Sequence, residues 1–391
     1  MAHEHKKLTG LSAVAALLLA RTAGAGVLPD DRADVFYSNY SGGGMDITGE
    51  SVMVRKKISE QFGVEADYFV DTVSGASIDV LSGASTIHDQ RKQKHAAMSY
   101  IRDKTEYTAS FTNSVEDDYI SNTSQFSLSQ DMFGDLTTVT LGFSSTGDRV
   151  GEHSGATTTW LGHANSRSYQ AGVSQILTKN LLGEVTFEVV TDQGYLANPY
   201  RSIRYLDPTN ANGYSLGAQV YPATHTSNAV EARMKYYLPY RAAVSASYRF
   251  YSDTWGMRGN TFELGLTQPV ASRWIFEGRV RYYKQGQATF YSDLFPFAGS
   301  QNFMARDQNL AAMQDTTIGA KATYTFLPDG WKMFKRGTVT LDLSRIEFKY
   351  ANFRNIKEYG VSAAKGGYQP GAEPLYHFGA NVFQLYVSMY F

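Results

Sequence analysis

Apolar and polar residues alternate with a period of two through most of this chain, a pattern typical of β-strands with one apolar and one polar face. In residues 182–192, for example, Val185, Phe187 and Val189 alternate with polar residues. The same pattern predicts sixteen strands, at residues 33–40, 51–58, 63–72, 95–103, 106–114, 122–130, 137–145, 166–177, 182–192, 225–237, 241–251, 260–268, 274–284, 316–326, 337–350 and 378–391.

The gaps between these segments differ in length in a regular way. Short gaps lie at 59–62, 103–106, 131–136, 178–181, 238–240, 269–273 and 327–336. Long gaps alternate with them, apart from a few brief ones, at 73–94, 146–165, 193–224, 285–315 and 351–377. Bacterial outer-membrane barrels have an even number of antiparallel strands, short periplasmic turns and long extracellular loops. The chain is therefore predicted to be an all-β, transmembrane antiparallel β-barrel of about sixteen strands with that arrangement. A large soluble all-β protein explains the alternation but not the asymmetry of the gaps.

The last predicted strand is apolar on one face up to its final residue. That face carries Phe383, Leu385, Val387, Met389 and Phe391. In water such an edge promotes aggregation, whereas in a barrel it faces lipid and pairs with the first strand. We interpret these residues as the C-terminal signal that the outer-membrane assembly machinery recognises. The alternative is a buried edge strand of a soluble β-sandwich.

Residues 1–26 have the features of a secretory signal peptide, which leaves 27–391 as the predicted barrel domain. Lys6 and Lys7 precede an apolar run at 11–20, and small residues at 23–25 supply a cleavage site. The run is too short to cross a bilayer as a helix. We therefore expect an exported protein of the Gram-negative outer membrane.

The composition agrees with this prediction and excludes several alternatives. The chain has 27 Tyr and 22 Phe, as aromatic girdles at two membrane interfaces require. Its mean hydropathy of -0.32 does not exclude a barrel, because averaging hides the apolar face of an alternating strand. The absence of cysteine excludes disulfides, thiolate metal sites and attached c-type haem. A net charge of -1 argues against a nucleic-acid partner.

Five stretches of the chain resemble a family of functionally uncharacterised Gram-negative outer-membrane proteins, catalogued as a domain of unknown function. They are residues 31–35 (DRADV), 52–58 (VMVRKKI), 74–80 (SGASIDV), 131–138 (DMFGDLTT) and 198–205 (NPYRSIRY). The resemblance implies the barrel and its location but carries over no catalytic or ligand residue. Members of the family are often encoded near a flavin transferase and a small lipoprotein, which implies a redox-linked envelope process with a lipoprotein partner.

Strand parity places a set of charged residues on the polar face, which would line the lumen. These candidate lumen charges are Glu65, Asp67, Asp71, Glu184, Glu188, Arg233, Lys235, Arg249, Arg279, Arg281 and Lys321. Strands three and nine carry only acids, and the bases concentrate on strands ten to fourteen. One interpretation is a transverse field whose basic wall attracts anions. The other is that the charges pair with their neighbours and simply keep the interior wet.

Two features do not follow the simple pattern. In residues 337–350 the apolar parity changes between Leu343 and Ile346, which predicts either a β-bulge or a strand that extends above the membrane. The long gap 193–224 contains a candidate loop cluster of Arg201, Arg204 and Tyr205. It and the aromatic-rich gap 285–315 either fold inward or form ordered surface loops, and the arginines could also contact lipopolysaccharide phosphates.

The sequence contains no convincing catalytic or metal-binding motif. His163 lies near Ser166 and Ser168, but no third residue is positioned by spacing, so we predict no enzymatic activity and no cofactor. The acidic run 116–118 lacks the spacing of a calcium loop, so we read it as a solvated turn and predict no metal site.

The leading functional hypothesis is a porin-like outer-membrane channel for passive diffusion or transport of small polar solutes. The alternative is a plugged, non-conducting barrel that serves as a structural or assembly partner of an envelope complex, redox-linked through a lipoprotein. The expected partners are outer-membrane lipid and lipopolysaccharide, the outer-membrane assembly machinery and that small lipoprotein.

Overall fold

The computed structural model describes residues 26–75, 87–155, 157–357 and 368–391, which form a closed antiparallel β-barrel of sixteen strands and a separate two-stranded sheet. The strands are β1 (Arg32–Gly42), β2 (Met45–Lys57), β3 (Phe62–Gly75), β4 (Ile87–Arg102), β5 (Thr105–Val115), β6 (Tyr119–Met132), β7 (Thr137–Ser154), β8 (Thr157–Thr178), β9 (Leu181–Gly194), β10 (Ser202–Leu206), β11 (Tyr214–Ala218), β12 (Thr224–Tyr237), β13 (Ala243–Asp253), β14 (Arg258–Val270), β15 (Trp274–Gln285), β16 (Met313–Phe326), β17 (Arg336–Arg354) and β18 (Leu375–Tyr390).

Each barrel strand pairs with its neighbours in the chain, except at two places. Strand β9 pairs with β12, because β10 and β11 form their own hairpin inside the loop between them. Strand β1 closes the ring by pairing with β18, from Arg32 opposite Tyr390 to Gly42 opposite Ala380. Every one of the sixteen predicted segments overlaps a barrel strand, so the predicted fold class and strand number are confirmed.

The two ends of the barrel differ. One end, the turn end, has short connections such as 103–104 and 179–180, whereas the other, the loop end, carries the connections 195–223, 286–312 and 355–374. The first hairpin at the loop end is tight: Gly43 and Gly44 have φ angles of 61° and 84°, as a two-residue turn that matches strand twist requires. A short 3-10 helix, Gln308–Leu310, lies in the second long loop.

Two of the predicted long gaps contain long extensions of the barrel strands. Strands β7 and β8 continue to Ser154 and from Thr157, so the predicted loop 146–165 is an extended hairpin. Strand β4 begins at Ile87, inside the predicted gap 73–94. The sequence prediction was wrong there because the outer face of a strand is no longer apolar where the strand leaves the membrane, although the backbone ladder continues.

Strand β17 resolves the change of apolar parity in 337–350. Its pairing with β16 and with β18 is continuous through this region, with a register shift only beyond Lys349, so no bulge causes the change. Leu341 and Leu343 face outward, while Phe348 and Tyr350 face inward and pack against the long loops. The strand therefore extends above the membrane, where its inward-facing apolar residues pack against the long loops instead of facing lipid.

The outer face carries the large exposed apolar side chains, as in a barrel that faces lipid. They form a band that includes Val185, Phe187, Phe262, Leu264, Leu266, Phe276 and Val280. Within the residues described, no helix is long and apolar enough to span a membrane. The predicted signal peptide lies almost wholly outside the described residues and stays a prediction.

The residues of the predicted assembly signal occupy the outer face of β18 and the position after it. The ring of Phe383 contacts Tyr37 of β1 across the closing seam, with ring centroids 6.1 Å apart. The backbone N–H of Phe391 donates to the carbonyl of Asp31 at 3.1 Å, and its ring meets Phe334 edge-on. These contacts hold the last residues against the first strand; recognition by an assembly machinery stays a prediction.

Candidate functional site: the lumen and its loop cap

The eleven candidate lumen charges all lie on the face of their strands opposite the exposed apolar residues. On β15, for example, Arg279 and Arg281 alternate with the outward-facing Val280 and Tyr282. Most of these charged side chains are partly exposed, whereas Asp71 is buried. The alternation of the strand puts them inside the barrel, because the pleat sends successive side chains to opposite faces.

On the acidic side of the lumen the charges have partners on adjacent strands. Glu65 of β3 accepts a hydrogen bond from Arg55 of β2 at 2.6 Å. Asp71 of β3 accepts one from Arg91 of β4 at 3.0 Å, and both side chains are buried. Two of the three candidate acids of β3, Glu65 and Asp71, are therefore paired with bases that are also inside the barrel.

The basic side is paired in the same way. Eight of the eleven candidates take part in seven ion pairs among the described residues, because Glu188 and Arg249 are both candidates and pair with each other. The other six pairs are Glu65 with Arg55, Asp71 with Arg91, Arg233 with Glu231, Arg279 with Asp342, Arg281 with Asp315 and Lys321 with Glu277. Arg279 is the most constrained, since it contacts both Asp342 oxygens at 2.8 and 3.1 Å and the Ser344 hydroxyl at 2.7 Å.

This pairing favours the second interpretation, in which the charges pair with their neighbours, over a transverse field. The acids of β9 lie beside the bases of β12 and β13 rather than across the lumen from them, since β9 pairs directly with β12. Glu188 contacts Arg249 of β13 at 2.9 Å. Because opposite charges close together largely cancel at a distance, the wall presents local ion pairs instead of a positive wall and a negative wall.

Strands β5 to β8 form a different kind of wall. Over most of their length their inner faces carry hydroxyl, amide and glycine positions: Thr108, Ser110, Thr112, Ser114, Ser121, Thr123, Gln125, Ser127, Ser129, Thr140, Gly142, Ser144, Thr146, Ser166, Ser168, Gln170, Gly172 and Ser174. Several of these side chains bond one another across strands, as Thr123 and Thr146 do at 2.9 Å. We call these four inner faces the hydroxyl wall.

The loops 195–223 and 286–312, which we call the loop cap, are joined by a buried network of charges. Arg204 contacts Glu373 at 2.5 Å and Asp293 at 2.8 Å, and its side chain is 0% exposed. Arg306 contacts Asp293 at 2.9 Å. Burial by itself lowers the pKa of Arg204, but the hydrogen bond with Glu373 and the charge of Asp293 outweigh it and raise that pKa. Two arginines and two carboxylates thus balance one another in the interior of the cap.

The predicted loop cluster belongs to this interior. Arg201 pairs with Asp307 and neither side chain is exposed. Tyr205 packs beside Ile203, Phe295 and Met304. Because Arg201 and Arg204 are fully buried, the suggestion that they contact lipopolysaccharide phosphates was wrong.

The cap spans the mouth of the barrel. The hydroxyl of Tyr200 donates to Asp118 in the β5–β6 turn and accepts from the backbone N–H of His153 on β7 at 2.8 Å. From the same loop, Arg204 reaches Glu373 in the β17–β18 connection. Four barrel strands separate these two connections on one side of the ring and eight on the other. Burial and the hydrogen bond to Asp118 raise the pKa of the Tyr200 phenol, so the hydroxyl stays a donor.

An apolar cluster attaches the cap to the inner face of the barrel. Phe290, Leu310 and Ala311 of the cap pack with Tyr350 and Phe353 of β17. Gln285, at the end of β15, donates to the carbonyls of Asn309 and Ala311 at 2.8 and 2.7 Å. The long loops therefore fold inward and pack against the wall, rather than forming separate surface loops.

One group of carboxylates has a geometry that could hold a metal ion. Asp89, Glu116 and Asp118 each place a carboxylate oxygen within 4.8 Å of the others. Glu116 and Asp118 are buried, so the reading of 116–118 as a solvated turn was wrong. The turn lies under Tyr200 of the cap, a contact between distant residues that the local acidic sequence does not reveal.

The histidine and serines considered for catalysis do not form a dyad. His163 is on the outer face of β8, whereas Ser166 and Ser168 are on its inner face. The alternation of the strand separates them, although they are close in sequence.

Sequence reasoning missed most of the cap network: Asp293, Arg306, Asp307 and Glu373. A signal was present in the combination of arginines, acids and many aromatic residues within two long loops, since a loop in water needs no aromatic core. It also missed the hydroxyl wall, although its Ser and Thr residues alternate visibly in the sequence of β5 to β8.

Outer-membrane barrels are among the solved structures with similar folds. The siderophore receptor PirA from Pseudomonas aeruginosa has 10% identity and a TM-score of 0.41, with 84% of this chain and 60% of that chain covered. CdiB from Acinetobacter baumannii has 6% identity and a TM-score of 0.48, with 92% and 60% covered. OmpT, an outer membrane protein of Vibrio cholerae, has 8% identity and a TM-score of 0.42, with 93% and 98% covered. The chain thus spans about three fifths of the first two proteins.

A search among curated proteins found no significant match. The sequence profile of the family described as "Protein of unknown function (DUF3570)" matches residues 80–171 and 161–337, which together cover more than half of the chain. This match agrees with the resemblance seen in the sequence. The chain therefore belongs to the DUF3570 family and has the fold of an outer-membrane β-barrel.

Proposed function

We propose that this protein is an outer-membrane channel for small polar solutes, with an extracellular mouth held narrow by the loop cap. The observation that carries the proposal is the contrast along the barrel axis. The inner wall is polar and partly exposed, with side chains such as Arg249 and Arg279 more than a third accessible, whereas the cap above it is densely packed. A wall that carries so many charges and hydroxyls is suited to water and dissolved polar solutes.

The fold also supports a Gram-negative outer-membrane location. Closed barrels remove every strand edge, so the backbone polar groups are all satisfied inside lipid. In such proteins the short turns face the periplasm and the long loops face outside. The turn end would then be periplasmic, and the cap would control entry from the medium.

The test is single-channel recording with purified, folded protein in a planar bilayer. We expect small or intermittent openings, because the lumen is wet but the cap crosses its mouth. Large and permanently open channels would contradict the narrowing role of the cap. A complete absence of conductance from folded protein would contradict the channel itself.

A second candidate is a plugged barrel that acts as an assembly partner in an envelope complex with a small lipoprotein. The buried network of the cap favours it, since such a network resists opening. Lack of conductance together with stable co-purification of a lipoprotein would support this candidate. Contacts with lipopolysaccharide and with the outer-membrane assembly machinery are expected for either one.

Ion selectivity offers a sharper test of the wall. Because the lumen charges are paired, we expect the protein to discriminate only weakly between anions and cations. Replacing Asp342 by asparagine leaves Arg279 without its carboxylate, so the reversal potential in a salt gradient should shift toward anions.

A matched control lies on the other side of the same strand. Glu347 pairs with Arg345 at 2.6 Å on the outer face of β17, so Glu347→Gln should leave the reversal potential unchanged. Adding Arg279→Gln to Asp342→Asn should restore weak selectivity. An unchanged reversal potential in Asp342→Asn would place this pair outside the conducting path.

A further inference from the structure

An open pocket lies at the loop end, between the β13–β14 turn and the loop cap. Its volume is about 380 Å³, and its lining includes Trp255, Thr289, Phe290, Asn302 and Phe303. None of the lining residues has an ionisable side chain among those the structure describes. An ionic ligand would lose hydration here without gaining a counter-charge, so the pocket is suited to an uncharged ligand.

Trp255 is held in a fixed orientation. Its backbone N–H donates to Asp253 at 2.9 Å, and its indole N–H donates to the carbonyl of Thr224 at 3.0 Å. Its own carbonyl accepts from the N–H of Thr289 at 2.8 Å. A ring held by its indole N–H on an anchored backbone loses little entropy when a ligand binds against it.

Two further aromatic residues shape the pocket. Phe290 is buried in the cap and meets Trp255 edge-on, with ring centroids 5.2 Å apart and an interplanar angle of 84°. Phe303 lies at the loop end, where its side chain is 42% exposed to water. An aromatic ring exposed at the rim of a pocket is a ready contact for an apolar ligand surface.

The polar part of the lining consists of amides and hydroxyls. Gln301 and Asn302 offer donors and acceptors on adjacent residues, and Thr254 and Thr289 add hydroxyls. Neighbouring hydroxyl groups on a ligand need such paired donors and acceptors. The pocket thus combines aromatic faces with uncharged hydrogen-bonding groups, as small-molecule sites do.

We propose that this pocket binds the pyranose ring of an uncharged carbohydrate. The C–H face of the sugar would pack on an aromatic ring, and its hydroxyls would bond to the amides and threonines. The hydroxyl wall independently supports an uncharged, hydroxyl-rich ligand, because it lines part of the lumen with uncharged hydrogen-bonding groups like those of the pocket. That the bound sugar is also a transported solute rests on the proposed channel function.

The test is equilibrium binding to the full chain in detergent micelles, which does not depend on conductance. The chain has 4 Trp, so replacing Trp160, Trp274 and Trp331 by Phe leaves Trp255 as the fluorescent reporter. Titration with maltose, cellobiose and lactose should give a saturable change with at least one of them. Galacturonate, which carries a carboxylate, should bind about tenfold more weakly, a difference of about 1.4 kcal/mol.

Two alanine variants of exposed phenylalanines in the same loop distinguish binding in the pocket from nonspecific binding to exposed aromatic residues. Phe303→Ala should weaken the binding about tenfold, or about 1.4 kcal/mol. Phe297→Ala is the control, since Phe297 is 59% exposed but does not line the pocket. Equal affinities of the two variants, or no saturable response to any of the three disaccharides, would overturn the proposal.

The sugar could be a free solute or part of a surface glycolipid. Titration with purified lipopolysaccharide, and competition by the disaccharide that binds, distinguishes these sources: a tighter, competable response to lipopolysaccharide identifies the glycolipid. Sugar binding without conductance in planar bilayers would refute the channel but not the site. Conductance without sugar binding would refute the site but not the channel.

Discussion

Replacing Arg204 by methionine is expected to loosen the loop cap and to produce frequent large openings in planar bilayers. The variant keeps most of the side-chain volume but removes one positive charge from the interior of the cap. Arg306 would still pair with Asp293, but Glu373 would lose the arginine that pairs with it, so an uncompensated negative charge would stay buried. Removing one partner of a buried ion pair costs about 3–5 kcal/mol, which is enough to populate open states of a local element.

The control restores the charge balance without restoring the ion pair. In the double variant Arg204→Met and Glu373→Gln, one arginine and one carboxylate of the network remain. Its conductance should return toward that of the unmodified protein, because replacing a buried pair by neutral groups of similar volume costs little. If Arg204→Met conducts like the unmodified protein while limited proteolysis shows a loosened cap, the cap does not control the mouth.

Replacing Leu264 by arginine is expected to destabilise the barrel in lipid by about 2–4 kcal/mol, because a cation near the bilayer midplane loses its hydration. Leu264 is 61% exposed on the outer face of β14, within the apolar band. The measurement is the free energy of unfolding in lipid vesicles, followed by the change in gel mobility between folded and unfolded protein.

Ser247→Arg provides the matched control in the same part of the barrel. Ser247 lies on the inner face of β13, opposite Glu263 of β14 on one side and Arg233 of β12 on the other, so the added cation would face water with one charge of each sign beside it. It should change the free energy of unfolding much less than Leu264→Arg does. Equal decreases in the free energy of unfolding in the two variants would contradict the assignment of outer and inner faces.

The two pairs of variants test different parts of the protein, the loop cap and the barrel wall. In the proposed channel the wall would provide a wet path, and most of its charges are paired. The cap would supply the closure, because its network joins the connection before β18 to the loop after β9. Selectivity in the proposed channel would then depend on the cap and the uncharged surfaces more than on a net field.

The sequence by itself determined the barrel. Alternation with a period of two is a local property, so β9 or β14 can be located from its own residues without knowledge of its neighbours. The same parity identified which residues face inward, from Glu65 on β3 to Lys321 on β16. These predictions succeeded because lipid on one side and water on the other impose a strict pattern on every strand that crosses the membrane.

The tertiary structure alone decided everything that depends on contacts between distant residues. The parity change in β17 had two local explanations, and only the continuous strand pairing and the packing of Tyr350 against the cap distinguished them. The partner of Arg204 is Glu373, far along the chain, and no spacing in the sequence indicates it. Where strands leave the membrane and loops fold inward, burial is decided by the neighbours that the chain brings together, so the local pattern no longer reports it.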